Sequence, residues 1–442
     1  TPRRTAIIEA LDERDMLPAI VFIFSRAACD DAVRRCLDDG VRLTSAEQRE
    51  EIHERCARRT EALPDDELRV LGYGPWIAGL EAGLASHHAG LIPAFREAAE
   101  ECFTAGLLQV VFATETLALG INMPARSVVM ERLTKVRAHG RSSLTSGEYA
   151  QLTGRAGRRG LDARGHAVVA WSPPVSLPEL AVLATSPAPE LTSSFRPSYN
   201  LAVNLVRRYR AEEAGGVLER SFAQFVSAEH HHALARRMER TLRLLERRGH
   251  VDVDAWRLTP RGALVAGIYH ESDLLVAEAL DDGLLDGLDP APLAAVVSAC
   301  SYEVRAGRAR REPRPPRDVT PRLGALLLLA EDLRGQEEQA RLPRTRLPDA
   351  GFAEVAWRWA RGERLATVLE RAELAPGDFV RNARQLIDLL RQLASAAPAP
   401  GTADAAGRAV TLLERGVVAA SAVAGDAGAA AEPEDGGQEV AR

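Results

Sequence analysis

Ala19-Ile20-Val21-Phe22-Ile23-Phe24 is an unbroken run of six apolar side chains. It has the length of a strand and lacks the alternation of a sheet that faces water on one side. Such a strand has to be covered on both faces, which calls for a parallel sheet sandwiched between helices. Gln109 to Ala113, Ser127 to Met130 and His166 to Ala170 read the same way, and amphipathic helices such as Ala94 to Ala105 separate them. Residues 1–175 are therefore expected to form an α/β domain with its ligand loops at the carboxyl ends of the strands.

Beyond Trp171 the pattern changes. Pro173, Pro174, Pro178, Pro187 and Pro189 mark a linker over 176–195. From Tyr199 onward the spacing predicts helices over 200–210, 228–248, 273–282, 323–339 and 379–394. Within 196–265 the long helix ends at Arg248-Gly249, and two short strand candidates follow, His250 to Val253 and Trp256 to Thr259. Helix, glycine and ribbon are how a winged helix ends, although a plain loop of a helical bundle fits the same residues. Residues 266–420 read as a second helical domain. The Arg- and Pro-rich stretch 305–317 fits either a solvated linker or a loop touching a phosphate backbone. Residues 421–442 hold almost no large apolar side chain and are expected to be a disordered tail.

The bulk properties exclude several classes. No run of 18 or more apolar residues occurs, so no helical membrane span is expected. The five cysteines lie apart with no C-x-x-C pair, which fits a reducing, cytoplasmic protein better than a disulfide scaffold or zinc site. His230-His231-His232 is expected to be an exposed helical stretch rather than a metal site. The chain begins Thr1-Pro2-Arg3-Arg4, with no signal-peptide pattern and no initiator Met, so further sequence is expected to precede it. Net charge is −6, from 56 basic and 62 acidic residues, weakly against a nucleic-acid binder. The distribution argues the other way: Arg126 to Arg164 carries nine basic side chains against three acidic ones. Lys135 is the sole lysine in the chain.

Three segments carry chemistry. Ser86-His87-His88-Ala89-Gly90-Leu91-Ile92-Pro93 leads into a helix. Phe112-Ala113-Thr114-Glu115-Thr116-Leu117-Ala118-Leu119-Gly120-Ile121-Asn122-Met123-Pro124 takes a buried strand into a loop with two hydroxyls spaced i, i+2. Hydroxyls and free backbone N–H groups suit phosphate oxygens. Glu148-Tyr149-Ala150-Gln151-Leu152-Thr153-Gly154-Arg155-Ala156-Gly157-Arg158-Arg159-Gly160 sets Arg155 and Arg158 at i, i+3, expected on one face of a helix. Two guanidinium groups held together can stabilise charge on a transferring γ-phosphate, the arginine-finger role, worth roughly 10³–10⁵ in rate.

In this order and wording the three segments resemble motifs IVa, V and VI of superfamily-2 helicases, with Val21 to Arg26 resembling motif IV. H-H-A-G-L-I-P, F-A-T-E-T-L-A-L-G-I-N-M-P and Q-L-T-G-R-A-G-R-R-G-L-D are most similar to DExH-box RNA helicases of the superkiller and exosome-cofactor type, including bacterial members. The likeness continues through Phe195 to Leu201, Gly377 to Leu393 and Arg415 to Ala419. It implies that 1–175 is the second RecA-like domain, 196–265 a winged helix and 266–420 a DSHCT-like helical domain. It implies ATP with Mg²⁺ as the nucleotide, with Arg155 and Arg158 at its γ-phosphate and Gly120, Asn122 and Gln151 coupling nucleotide state to closure. Ser25, Arg26, His88, Gly90, Thr114 and Thr116 would line a single strand of RNA, or of DNA. Movement 3′-to-5′, duplex unwinding and a nuclease partner in RNA decay are likewise implied.

Departures from the pattern are informative. With Lys135 the only lysine, no G-x-x-x-x-G-K-[ST] phosphate loop is present. No D-E-x-H box follows a strand either, since Asp12-Glu13-Arg14-Asp15 falls on an expected helix. Mg²⁺ ligands and the β-phosphate cradle are thus expected on a domain outside this chain, and the chain alone is expected to be inactive. Residues 211–248 are also short for the arch insertion of the eukaryotic relatives. A non-catalytic nucleic-acid-binding module and a related DNA-repair helicase are the competing readings.

Overall fold

A computed structural model describes residues 2–118, 122–137, 140–171, 176–187, 190–226, 233–304 and 315–421. Two compact units result. One comprises Thr1–Pro189, Glu373–Val380 and Arg415–Arg442, the other Glu190–Ala372 and Arg381–Glu414.

The first unit starts with helix α1 (Arg4–Asp12), strand β1 (Ala19–Phe22) and helices α2 (Arg26–Asp38), α3 (Ala46–Thr60), α4 (Asp65–Val70) and α5 (Tyr73–Glu81). It continues with β2 (Leu84–His87), α6 (Pro93–Thr104), β3 (Val110–Ala113), β4 (Ser127–Met130), the hairpin β5 (Thr134–Arg137) and β6 (Gly140–Ser143), α7 (Ser146–Thr153), β7 (His166–Val169) and α8 (Leu177–Thr185). A 3-10 turn, Glu115–Ala118, follows β3. The sheet runs β2-β3-β1-β4-β7, parallel throughout, with the apolar run β1 at its centre. Ile20 and Phe22 are fully buried, and Val110, Phe112 and Val129 pack with Val21, Cys29, Cys36 and Leu84 into one core.

All four strands named from the sequence are present. β2 is not among them, because Ser86 and His87 break its apolar run; burial of His87 is sustained by Glu100, 2.6 Å from its Nε2. The proline-rich segment 176–195 is not structureless as a linker would be. It contains α8, where Ser176 accepts the Glu179 N–H and Pro178 stands in the first turn, a position that needs no N–H.

Two segments distant in sequence complete this unit. Gly377 donates its N–H to the Gly90 carbonyl at 2.9 Å. Buried Glu67 accepts the Val417 N–H at 2.6 Å, and burial pushes its carboxyl above the ordinary value.

In the second unit the helix Ala233–Arg247 runs into Gly249, at φ 79°, and an antiparallel ribbon pairs Val251 with Leu258 and Asp252 with Arg257. The region expected as a winged helix, 196–265, falls within this unit, and so does the expected helical domain, 266–420, apart from 373–380 and 415–420, which belong to the first unit. Helices Tyr199–Arg208, Asp273–Asp281 and Thr320–Gln339 sit where the spacing placed them, and Pro376–Ala396 covers the expected 379–394. His230 to His232, most of 305–317 and the tail beyond Ser421 lie outside the described residues.

Candidate nucleotide and nucleic-acid site

A parallel sheet puts the loops after adjacent strands side by side on one edge. Here β2, β3 and β1 are neighbours, so the segments that follow them converge. Ser25 caps α2 by accepting the Ala28 N–H, and Arg26, next in the chain, donates Nη1–H to Asp378 at 2.7 Å. After β2, His88 is held at both nitrogens: Nδ1 accepts the Gly90 N–H at 3.1 Å, and Nε2 lies 2.9 Å from Asp30. That arrangement selects the tautomer with its proton on Nε2. A Cβ on Gly90 would come 3.0 Å from the His88 ring and 3.3 Å from Arg26, so glycine lets these groups meet. Ser25, Arg26, His88 and Gly90 line one cavity of about 1090 Å³.

Asp30, Asp378 and Trp76, which stacks on Phe95 at 4.1 Å and lines the same cavity, are absent from the sequence-based set. Trp76 lay within reach as a tryptophan ten residues before Ser86. The two aspartates are recognisable only by their partners, 58 and 352 residues away.

After β3 the two hydroxyls of Thr114 and Thr116 lie 2.9 Å apart. Gly120 is outside the described residues, whereas Asn122 and Gln151 are exposed. α7 ends at Thr153, so Arg155 and Arg158 do not share a helix face as expected. Gly154 closes the helix and Gly157, at φ 91°, turns the chain. Ala156 then forms a bridge with Ala125, and both arginines stand on a loop at the sheet edge. Gly165 packs beneath this loop, where a Cβ would lie 2.5 Å from the Ala156 carbonyl carbon and oxygen and 2.6 Å from the Gly157 nitrogen.

Each arginine is anchored differently. Arg155 donates Nη2–H to the Ala118 carbonyl at 2.5 Å, joining the arginine loop to the hydroxyl loop. Arg158 grips Asp162 through Nε (2.8 Å) and Nη2 (2.9 Å), and its backbone N–H reaches the same carboxylate at 2.9 Å. Arg126 adds a further contact at 2.9 Å. The Arg158 guanidinium is the first reason that Asp162 is held well below the usual carboxylate range. Lys135, on β5, lies between Glu115 (2.5 Å) and Glu148 (2.6 Å). Among the described residues no group of three or more His, Cys, Asp or Glu side chains could hold a metal ion, and no helix is long and apolar enough to cross a membrane.

Known proteins share this sequence pattern. The profile of the helicase conserved C-terminal domain matches residues 77–160, and that of the DSHCT (NUC185) domain matches residues 255–421. "Probable helicase HelY" of Mycobacterium tuberculosis (strain ATCC 25618 / H37Rv) is 34% identical over 95% of this chain and 72% of its own length. Its counterpart in Mycobacterium leprae is 33% identical over 95% of the chain and 71% of its length. The Mycobacterium tuberculosis alignment runs over 648 positions against a chain of 442 residues, so that relative carries inserted sequence absent here. The human superkiller complex protein 2 is 36% identical over 52% of the chain and 19% of its own length. With both domain matches in sequence order and HelY covered over nearly three quarters of its length, this chain belongs to the DExH-box superfamily-2 helicases of the Ski2/HelY type.

Proposed function

We propose that the chain is the second motor domain and C-terminal region of an ATP-driven helicase that moves along single-stranded RNA and unwinds duplexes. Arg155 and Arg158 meet the γ-phosphate of ATP, with Asp162 holding one edge of the Arg158 guanidinium and leaving the Nη1 edge for phosphate. Gly120, Asn122 and Gln151 transmit nucleotide state. Ser25, Arg26, His88, Gly90, Thr114 and Thr116 contact the strand through backbone and sugar, so binding is independent of base sequence. Mg²⁺ ligands come from residues outside this chain. Residues 196–265 act as a winged helix and 266–420 as the helical domain. The setting is cytoplasmic RNA processing or decay beside a nuclease partner.

The observation that carries this reading is the tie between the two loops, Arg155 to the Ala118 carbonyl, which joins strand-contacting hydroxyls to phosphate-contacting guanidiniums. Because these 442 residues contain no phosphate loop, the purified chain should release no phosphate from ATP above background. Turnover at the rate of a complete helicase would overturn that. In the intact enzyme, single-stranded RNA should stimulate turnover more than single-stranded DNA. The logarithm of affinity should fall with the logarithm of salt by about 0.7 per phosphate contact. Stronger stimulation by DNA would favour a DNA-repair helicase. The missing phosphate loop also favours a second reading, a strand-binding module without catalysis; strand affinity that no nucleotide alters in the intact gene product would support it.

A further inference from the structure

Of the 56 basic residues in this chain one is a lysine, Lys135 on β5. Its ammonium reaches carboxylates from two different motif segments. Glu115, between the hydroxyls of Thr114 and Thr116, approaches Nζ to 2.5 Å, and Glu148, on the helix that leads to Arg155 and Arg158, approaches to 2.6 Å. The second carboxylate is itself fixed: Glu148 Oε2 accepts the Thr145 N–H at 2.9 Å, and the Thr145 hydroxyl accepts the Glu148 N–H at 3.2 Å. The Lys135 side chain is 12% exposed while Glu115 is 49% exposed, so the cation is the buried hub and Glu115 the arm nearer solvent.

An ammonium is a compact charge with three donors that can point at two carboxylates close together. Arginine fills every other basic position and bridges carboxylate pairs elsewhere in the chain, as Arg126 does between Asp15 and Asp162 and Arg358 between Glu354 and Glu363.

Resting on the helicase reading above, we propose that Lys135 is a positioning residue that couples the strand-contacting loop to the arginine loop, so that nucleic acid bound at Thr114 and Thr116 governs where Arg155 and Arg158 stand. Occupation of the hydroxyl loop moves Glu115, the ammonium follows it, and Glu148 carries the displacement into α7. The node touches neither strand nor nucleotide. Its loss uncouples the two sites without abolishing either.

The test is Lys135→Met in the intact enzyme, with ATP turnover measured with and without single-stranded RNA, RNA affinity and melting temperature. Expected are unchanged basal turnover and RNA affinity, with the stimulation ratio reduced about tenfold, inside the span of ordinary couplings between sites. Glu115→Gln should lower the ratio in the same way. An undiminished ratio in Lys135→Met overturns the node alone. So does a parallel fall of basal turnover, stimulated turnover and melting temperature, which marks a purely structural ion cluster. No stimulation in the unsubstituted enzyme overturns the helicase reading and the node with it.

Discussion

Replacing Arg155 and Arg158 together by alanine is expected to lower ATP turnover in the intact enzyme by about 10³–10⁵, the contribution of paired guanidiniums to phosphoryl transfer. Single-strand affinity should hardly change. The proposed strand-contacting set, Ser25, Arg26, His88, Gly90, Thr114 and Thr116, belongs to other loops, and Asp162 keeps a partner in Arg126 at 2.9 Å when Arg158 is lost. Alanine tests the role more cleanly than charge reversal. A carboxylate at position 158 would face Asp162, whose side chain is 1% exposed, and would disturb the fold as well as the chemistry. Steady-state phosphate release with RNA saturating is the measurement. Turnover within a few-fold of the unsubstituted enzyme would remove these arginines from the reaction.

The second large effect is expected at a residue that touches no ligand. Gly165→Ala places a methyl group 2.5 Å from two backbone atoms of Ala156 and 2.6 Å from the Gly157 nitrogen. Backbone cannot swing aside as a side chain can, so the arginine loop has to move. Misplacement of about 1 Å can cost about 10²-fold in rate, and overpacking of this kind costs about 1–3 kcal/mol of stability. Turnover should therefore drop about a hundredfold while RNA affinity is retained. Gly401→Ala, where an added Cβ meets nothing within 4 Å, serves as the control. Unchanged turnover in Gly165→Ala would show that the loop tolerates displacement and that its position is not critical.

The sheet was legible because doubly covered strands write themselves as continuous apolar runs, as β1, β3 and β4 do; β7, at the edge of the sheet with Ala167 exposed, carries a similar run although it is covered less. β2 escaped because two of its four residues, Ser86 and His87, are polar, and the Glu100 that makes their burial tolerable lies on α6. α3 was passed over although it announces itself. Ser45 and Gln48 form a capping box, and Ile52, Cys56 and Thr60 recur every four residues on its buried face. The helical placement of Arg155 and Arg158 failed for a reason visible in the sequence. Gly154 and Gly157 flank the first arginine, and glycine at those positions signals a turn as readily as close packing. Motif wording named the candidate site residues, whose identities the proposed chemistry restricts. The residues that hold them, Asp30, Asp162 and Asp378, are aspartates like any others until the chain has folded.

The Gly377–Gly90 hydrogen bond and the Arg26–Asp378 ion pair have a consequence for biosynthesis. All five strands of the sheet have been made by residue 169, and a nascent chain can collapse around them early, since domains generally begin to fold from the N-terminus during synthesis. The rim beside His88 and Gly90 stays unfinished until residues 377 and 378 leave the ribosome. At about 5–20 residues per second, that interval lasts roughly ten to forty seconds, during which Arg26 has no Asp378 to hold it. A message cut short between those points would therefore yield a well-packed sheet whose proposed strand site is incomplete.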